Sequence, residues 1–132
     1  MAPNLSSGEY FLYEKQSVFL SNYRPGDVVV IQTSHSDKRT IKRVIAVETD
    51  LVEVIGSSIV VNGKHILKQE GNLESSNQTI QQWNVDSGEL FVLGDNSEFS
   101  VDSRIYGSIN VNLVKGRAWF RLWPFSRIGK KF

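Results

Sequence analysis

Cysteine is absent from the 132 residues, which excludes disulfides, thiol nucleophiles and Cys-ligated metal sites. Imidazole is scarce. His35 and His65 are the two histidines, and both lie among polar, turn-like residues, where they read as solvated side chains. No run approaches the ~18–20 consecutive apolar residues of a membrane span. The start, Met1-Ala2-Pro3-Asn4-Leu5, lacks the basic-then-apolar order of a signal peptide. On these grounds the chain reads as soluble. Neither sign of charge dominates: 15 Lys and Arg face 14 Asp and Glu, for a net +1. A dedicated nucleic-acid binder normally carries a strong basic excess, so none is expected here. Helical periodicity of useful length, internal repeats and Walker or Rossmann glycine motifs are missing too. Neither a cofactor nor a metal is expected.

What is present is a series of short apolar runs with turn signals between them. The length predicts one domain over residues 1–132. Arg24-Pro25-Gly26-Asp27 is a turn, with Asp27 capping it, and leads into the strand Val28-Val29-Val30-Ile31. Thr40 to Val47 returns as a strand. Alternation sets Lys42, Val44 and Ala46 on one face and Ile41, Arg43, Ile45 and Val47 on the other. Leu51 to Val54 and Ile59 to Val61 follow, and Asn62-Gly63 signals a type I′ hairpin into His65-Ile66-Leu67. Residues 68–82 are polar, Ser/Asn-rich and without apolar periodicity, and read as a variable loop. Leu90-Phe91-Val92-Leu93 is a buried strand, and Ala118 to Trp123 a last strand stopped by Pro124. The expected fold is all-β: antiparallel sheets in a partly closed, barrel-like arrangement, with little helix.

The stretch Gly94 to Arg104 packs Asp95, Asn96, Ser97, Glu98, Ser100, Asp102, Ser103 and Arg104 behind the Leu90–Leu93 strand. Gly94, Asp95 and Asn96 suit a tight turn. Asp102 and Arg104, two apart on an extended segment, point the same way and are placed to form an ion pair. Taken alone, this is a polar turn. A lysine such as Lys42 on an apolar strand is, taken alone, an edge residue whose ammonium reaches water.

The spacing Gly-Asp-Asn-x-x-x-Ser-x-Asp-Ser-Arg resembles the last signature box of the type I signal peptidases, membrane-bound serine proteases with a Ser/Lys dyad. The likeness continues through Tyr106-Gly107, Gly116-Arg117-Ala118, Trp123-Pro124 and Arg127-Ile128-Gly129. Arg24-x-Gly26-Asp27-Val28-Val29 resembles a second, scaffolding box, and Lys42-Arg43-Val44-Ile45 resembles the box that carries the base. That box continues in the family as Gly-Leu-Pro-Gly-Asp, where this chain has Ala46-Val47-Glu48-Thr49-Asp50. Met1-Ala2-Pro3-Asn4-Leu5 is similar to the part of the nucleophile box that follows its serine.

The resemblance implies that Lys42 is the general base and that Ser100 orients it. It also implies that Asp102 and Arg104 brace the site, and that Asp95 and Asn96 form the turn beneath it. The nucleophilic serine is expected immediately before Met1, since Ser6 and Ser7 lie on the wrong side of Pro3. As written, the chain is then expected not to cleave peptides, while its full-length parent would. Signal peptides of exported preproteins are the implied partners, with a lipid surface beside them. The implied location is a membrane, with the catalytic domain on its extracytoplasmic face. Bacterial and organelle types both fit. So does a catalytically inactive relative that binds signal-peptide-like segments or a partner subunit. A self-cleaving repressor-type protease shares the dyad but not the Gly94–Arg104 signature.

Overall fold

The computed structural model describes residues 10–15, 22–32, 39–56, 58–67, 79–95 and 100–123. Met1–Leu5, Ser6, Ser7, His35, Asn96, Pro124 and the Arg127-Ile128-Gly129 match lie outside them.

The described strands are β1 (Tyr10–Lys15), β2 (Val28–Gln32), β3 (Arg39–Ala46), β4 (Leu51–Ile55), β5 (Ser58–Val61), β6 (Lys64–Leu67), β7 (Ile80–Asn84), β8 (Glu89–Leu93), β9 (Ile109–Asn110) and β10 (Val114–Trp123). One helical turn, α1 (Ser103–Tyr106), and a 3-10 turn (Val111–Leu113) interrupt them. The chain is therefore all-β with little helix. The larger sheet has the order β1-β10-β2-β3-β8-β9 and curves into half a barrel; the smaller has the order β6-β5-β4-β7. Every pairing is antiparallel.

The local chemistry accounts for these elements. Val28, Val29, Val30 and Ile31 are all buried, as a strand must be when both faces of its sheet are covered. In β4 only Val52 and Val54 are buried, the alternation of a strand with one wet face. Asn62 and Gly63 both take positive φ, 49° and 77°, as a type I′ turn requires. The expected loop 68–82 ends earlier than the sequence suggested. Ile80, Gln81 and Gln82 already belong to β7, and residues 68–78 lie outside the described ones. A polar edge strand carries no apolar period, so sequence alone reads it as loop. Its pairing with β4 makes it a strand.

Two cores result. One gathers Val29, Ile31, Val44, Leu90, Val92, Ile109 and Val114 within the larger sheet. The other joins Ile45, Ala46, Phe91 and Leu93 of that sheet to Val52, Val54, Ile59 and Val61 of the smaller. The crossovers from β3 to β4 and from β7 to β8 run side by side, clipped by Thr49 N–H to Val85 O (2.9 Å) and Val85 N–H to Asp50 O (2.9 Å).

Alternation along β3 holds only as far as Val44. The β3–β8 register shifts between Val44 and Ala46, and Ala46 joins the same core as Ile45 rather than that of Val44. A bulge adds one residue and turns the later side chains over. Lys42 precedes the shift and keeps its face, opposite Val29.

Candidate active site

Lys42 lies mid-strand in β3 and is 7% exposed. Its amine donates to Ser100 Oγ and to the Val101 carbonyl, both at 2.7 Å. It therefore does not reach out to water as an edge lysine would. Burial pushes the Lys42 pKa below 10.5; the Asp102 carboxylate pulls it up and the Arg104 charge pushes it down, with burial prevailing.

The oxygens of Asp102 are committed to other partners as well. Asp102 is fully buried and forms a two-pronged pair with Arg104, Nε at 2.9 Å and Nη2 at 2.8 Å. It also accepts from Gly94 N–H at 2.9 Å and Arg104 N–H at 3.3 Å, and it caps α1. Burial alone would push its carboxyl up. Hydrogen bonds from Arg104, Gly94 N–H and Ser100 outweigh that and hold it below 3.8. Arg104 takes up both oxygens of this carboxylate, and burial of the amine outweighs the pull that Asp102 still exerts.

The Ser100 hydroxyl hydrogen-bonds Asp102 as well. With its one proton given to the carboxylate, Ser100 presents a lone pair to the lysine, so it receives an amine N–H and leaves the nitrogen lone pair alone.

Asp95 sits on the other side of β3. Arg43, which follows Lys42 and points away from it, holds Asp95 with Nε at 3.0 Å and Nη2 at 2.9 Å, and donates Nη1 to Gly26 O at 3.0 Å. One guanidinium thus ties the turn before β2 to the turn after β8. Asp27 accepts from Arg24 N–H at 3.0 Å and from Arg117 Nη1 at 3.1 Å, which fixes the first turn against β10.

The structure thus brings Lys42, Ser100, Asp102 and Arg104 together and sets Asp95 one layer away. Three features were not read from sequence. Arg43 looked like a box neighbour, and only its opposite face hinted at a separate task. Gly94 looked like a turn residue, yet it is not among the glycines with positive φ. What it provides is space. A Cβ there would stand 2.1 Å from Ser100 Oγ and 3.6 Å from Lys42 Nζ. The third feature is Ser103, fully buried at the start of α1.

The family model described as "Signal peptidase, peptidase S26" matches residues 1–123. The chain belongs to the signal peptidase family. It is 31% identical to signal peptidase I of Bacillus caldolyticus, over 100% of this chain and 79% of that protein. Against signal peptidase I of Leptolyngbya laminosa the identity is 30%, over 98% of this chain and 68% of that one. The thylakoidal processing peptidase 1 of Arabidopsis thaliana is 31% identical over 97% of this chain, which spans only 41% of that protein's length. The fold resembles that of a crystallised signal peptidase I from Enterococcus faecalis, with a TM-score of 0.56 and 22% identity over 74% of this chain and 97% of that one. No helix among the described residues of this signal peptidase relative is long and apolar enough to cross a membrane.

Proposed function

We propose that this chain is the catalytic domain of a serine endopeptidase of signal peptidase I type, with Lys42 as general base and Ser100 as the residue that orients it. The observation that supports this most is the 7%-exposed amine, held by Ser100 and the Val101 carbonyl and kept from a free carboxylate by Arg104. Two N–H bonds occupied in this way leave the lone pair of a neutral amine facing a third direction.

The chemistry follows. The nucleophile is a serine in front of Met1, in the position that Met1-Ala2-Pro3-Asn4-Leu5 resembles. Lys42 takes its hydroxyl proton as the oxygen bonds to the scissile carbonyl. The resulting ammonium passes that proton to the leaving amine as the C–N bond breaks, which leaves an acyl ester. Lys42 then deprotonates a water that attacks the ester, and returns the proton to the serine oxygen. Asp95, Asn96, Asp102 and Arg104 support the site and take no proton. The substrates are signal peptides of exported proteins, cut after small side chains beside a lipid surface. Residues 1–132 make one domain. A relative that only binds peptides has no use for a buried amine with both N–H bonds directed, which favours the enzyme.

The test is the chain with a serine placed before Met1, assayed on a signal-peptide substrate with and without Lys42→Ala. Loss of the base is expected to cost about 10²–10⁴-fold in rate. Equal turnover of the two proteins removes Lys42 from the mechanism.

A further inference from the structure

Among the described residues, the edge of β8 that faces away from β3 is only partly covered by a strand. β9 pairs with it at Glu89 and Leu90 and reaches no further. Val92 and Gly94 continue along that edge, and as alternate residues their N–H groups point the same way. Side chains meet both of them. Val92 N–H donates to Ser103 Oγ at 3.0 Å, and Gly94 N–H donates to Asp102 Oδ2 at 2.9 Å. Both of these side chains are 0% exposed. Water cannot replace them, and a buried N–H without a partner is costly. Adjacent residues at the start of α1 thus take the place of a missing strand.

We propose that Ser103 is a positioning residue: with Asp102 it completes the β8 hydrogen-bond ladder past the end of β9 and thereby holds Ser100 and Val101 against the Lys42 amine. The connection is short. Ser100 and Val101 directly precede the two anchored residues and carry both oxygens that the amine meets. The seat also leaves no slack, because Ser100 lies where any Cβ on residue 94 would be. A small shift of residues 102–103 along β8 must therefore move Ser100. Ser103 suits the task through its size and its lone pair. Alanine leaves Val92 N–H unpaired, and cysteine offers a much weaker acceptor at nearly the same volume.

The inference rests on the reading of Lys42 as the base, and one experiment separates the two. The Cε chemical shift of Lys42 is followed against pH in the whole chain carrying isotope-labelled lysine, with Lys42→Met for assignment. Asp102 and Arg104 are the charged groups that act on this amine, and both stay in every variant. In the unaltered chain Lys42 is expected to titrate below 10.5. If it does not, the base reading fails. Given that result, Ser103→Ala is expected to move the midpoint back toward 10.5 and to speed hydrogen exchange of the Val92 amide about tenfold. Ser103→Cys is the second variant, with a smaller move in the same direction. Faster Val92 exchange with an unmoved Lys42 midpoint in either folded variant makes Ser103 merely structural and overturns the proposal. The unaltered chain gives a third reading. Val92 and Gly94 amides should exchange as one unit, and protection of one without the other overturns the ladder itself.

Discussion

Water reaches only 7% of Lys42, and the folded chain therefore resists ionisation of its amine. The folded pKa lies below 10.5, so between that lowered value and 10.5 the unfolded chain binds more protons than the folded one. Stability then rises with pH across that window. The contribution is complete above 10.5 and is lost as pH falls through the folded value. Lys42→Met has no amine to titrate. The stability of the unaltered chain relative to Lys42→Met, from urea unfolding at a series of pH values, is expected to climb toward alkaline pH. A difference that falls with pH would mean that Asp102 outweighs burial. Gly94 is the neighbouring test of space. With a Cβ 2.1 Å from Ser100 Oγ, Gly94→Ala must displace the hydroxyl. The expected costs are about 1–3 kcal/mol from overpacking and a Lys42 titration shifted toward the ordinary lysine range. Full retention of both stability and titration would show that the Ser100 loop yields freely. The chemistry of the signature box was visible in the sequence through resemblance. The reason for its glycine was not, because a close approach between residues 94 and 100 leaves no mark on either.

Among the elements, the strands that read most clearly were the ones that bury whole runs, β2 and β8, and the hairpin with Asn62-Gly63 at its tip. A bulge carries no turn residues of its own, so the shift in β3 that moves Ala46 to the second core was invisible. So was the role of α1, which depends on how soon β9 stops. The turn after β3 is a mixed case. Asp50 closes it, accepting from Val47 N–H at 2.9 Å and from Asn62 Nδ2 at 2.7 Å, although both family glycines and the proline are absent. The substitution has a cost. Thr49 stands where the family pattern has the second glycine, and its φ is 73°. A β-branched residue is poorly suited to that left-handed region, where an L side chain costs roughly 1–2 kcal/mol. The Thr49 side chain is exposed, and its N–H bond to Val85 survives in glycine. Thr49→Gly is therefore expected to stabilise the fold by about 1 kcal/mol, less some of that for the extra freedom of the unfolded chain. In thermal unfolding this is a rise of roughly 2–4 °C for a domain of this size. A fall in Tm would show that the threonine makes a contact worth more than its strain.

At the scale of the molecule, which strands make up the second sheet could not be foreseen, because nothing in β4 or β5 says that they leave the sheet of β3. One core holds the sheets together, and Phe91 lies within it. It is fully buried, on β8 of the larger sheet, with its ring 5.5 Å from that of Trp83 on β7 of the smaller. Trp83 in turn lies 3.1 Å from the place where a Cβ on Gly107 would be, directly after α1. The C-terminal end of α1 thus rests on the joint between the sheets. Phe91→Ala should cost about 3–5 kcal/mol from lost burial and the cavity left behind. At the size of this domain that lowers Tm by roughly 10 °C or more. Because the cavity opens between the sheets, both are expected to melt in the same lowered transition, with tryptophan fluorescence and β-sheet circular dichroism coinciding. If the two signals separate, the smaller sheet is a unit that unfolds by itself, and the larger sheet holds Lys42 and Ser100 together without it.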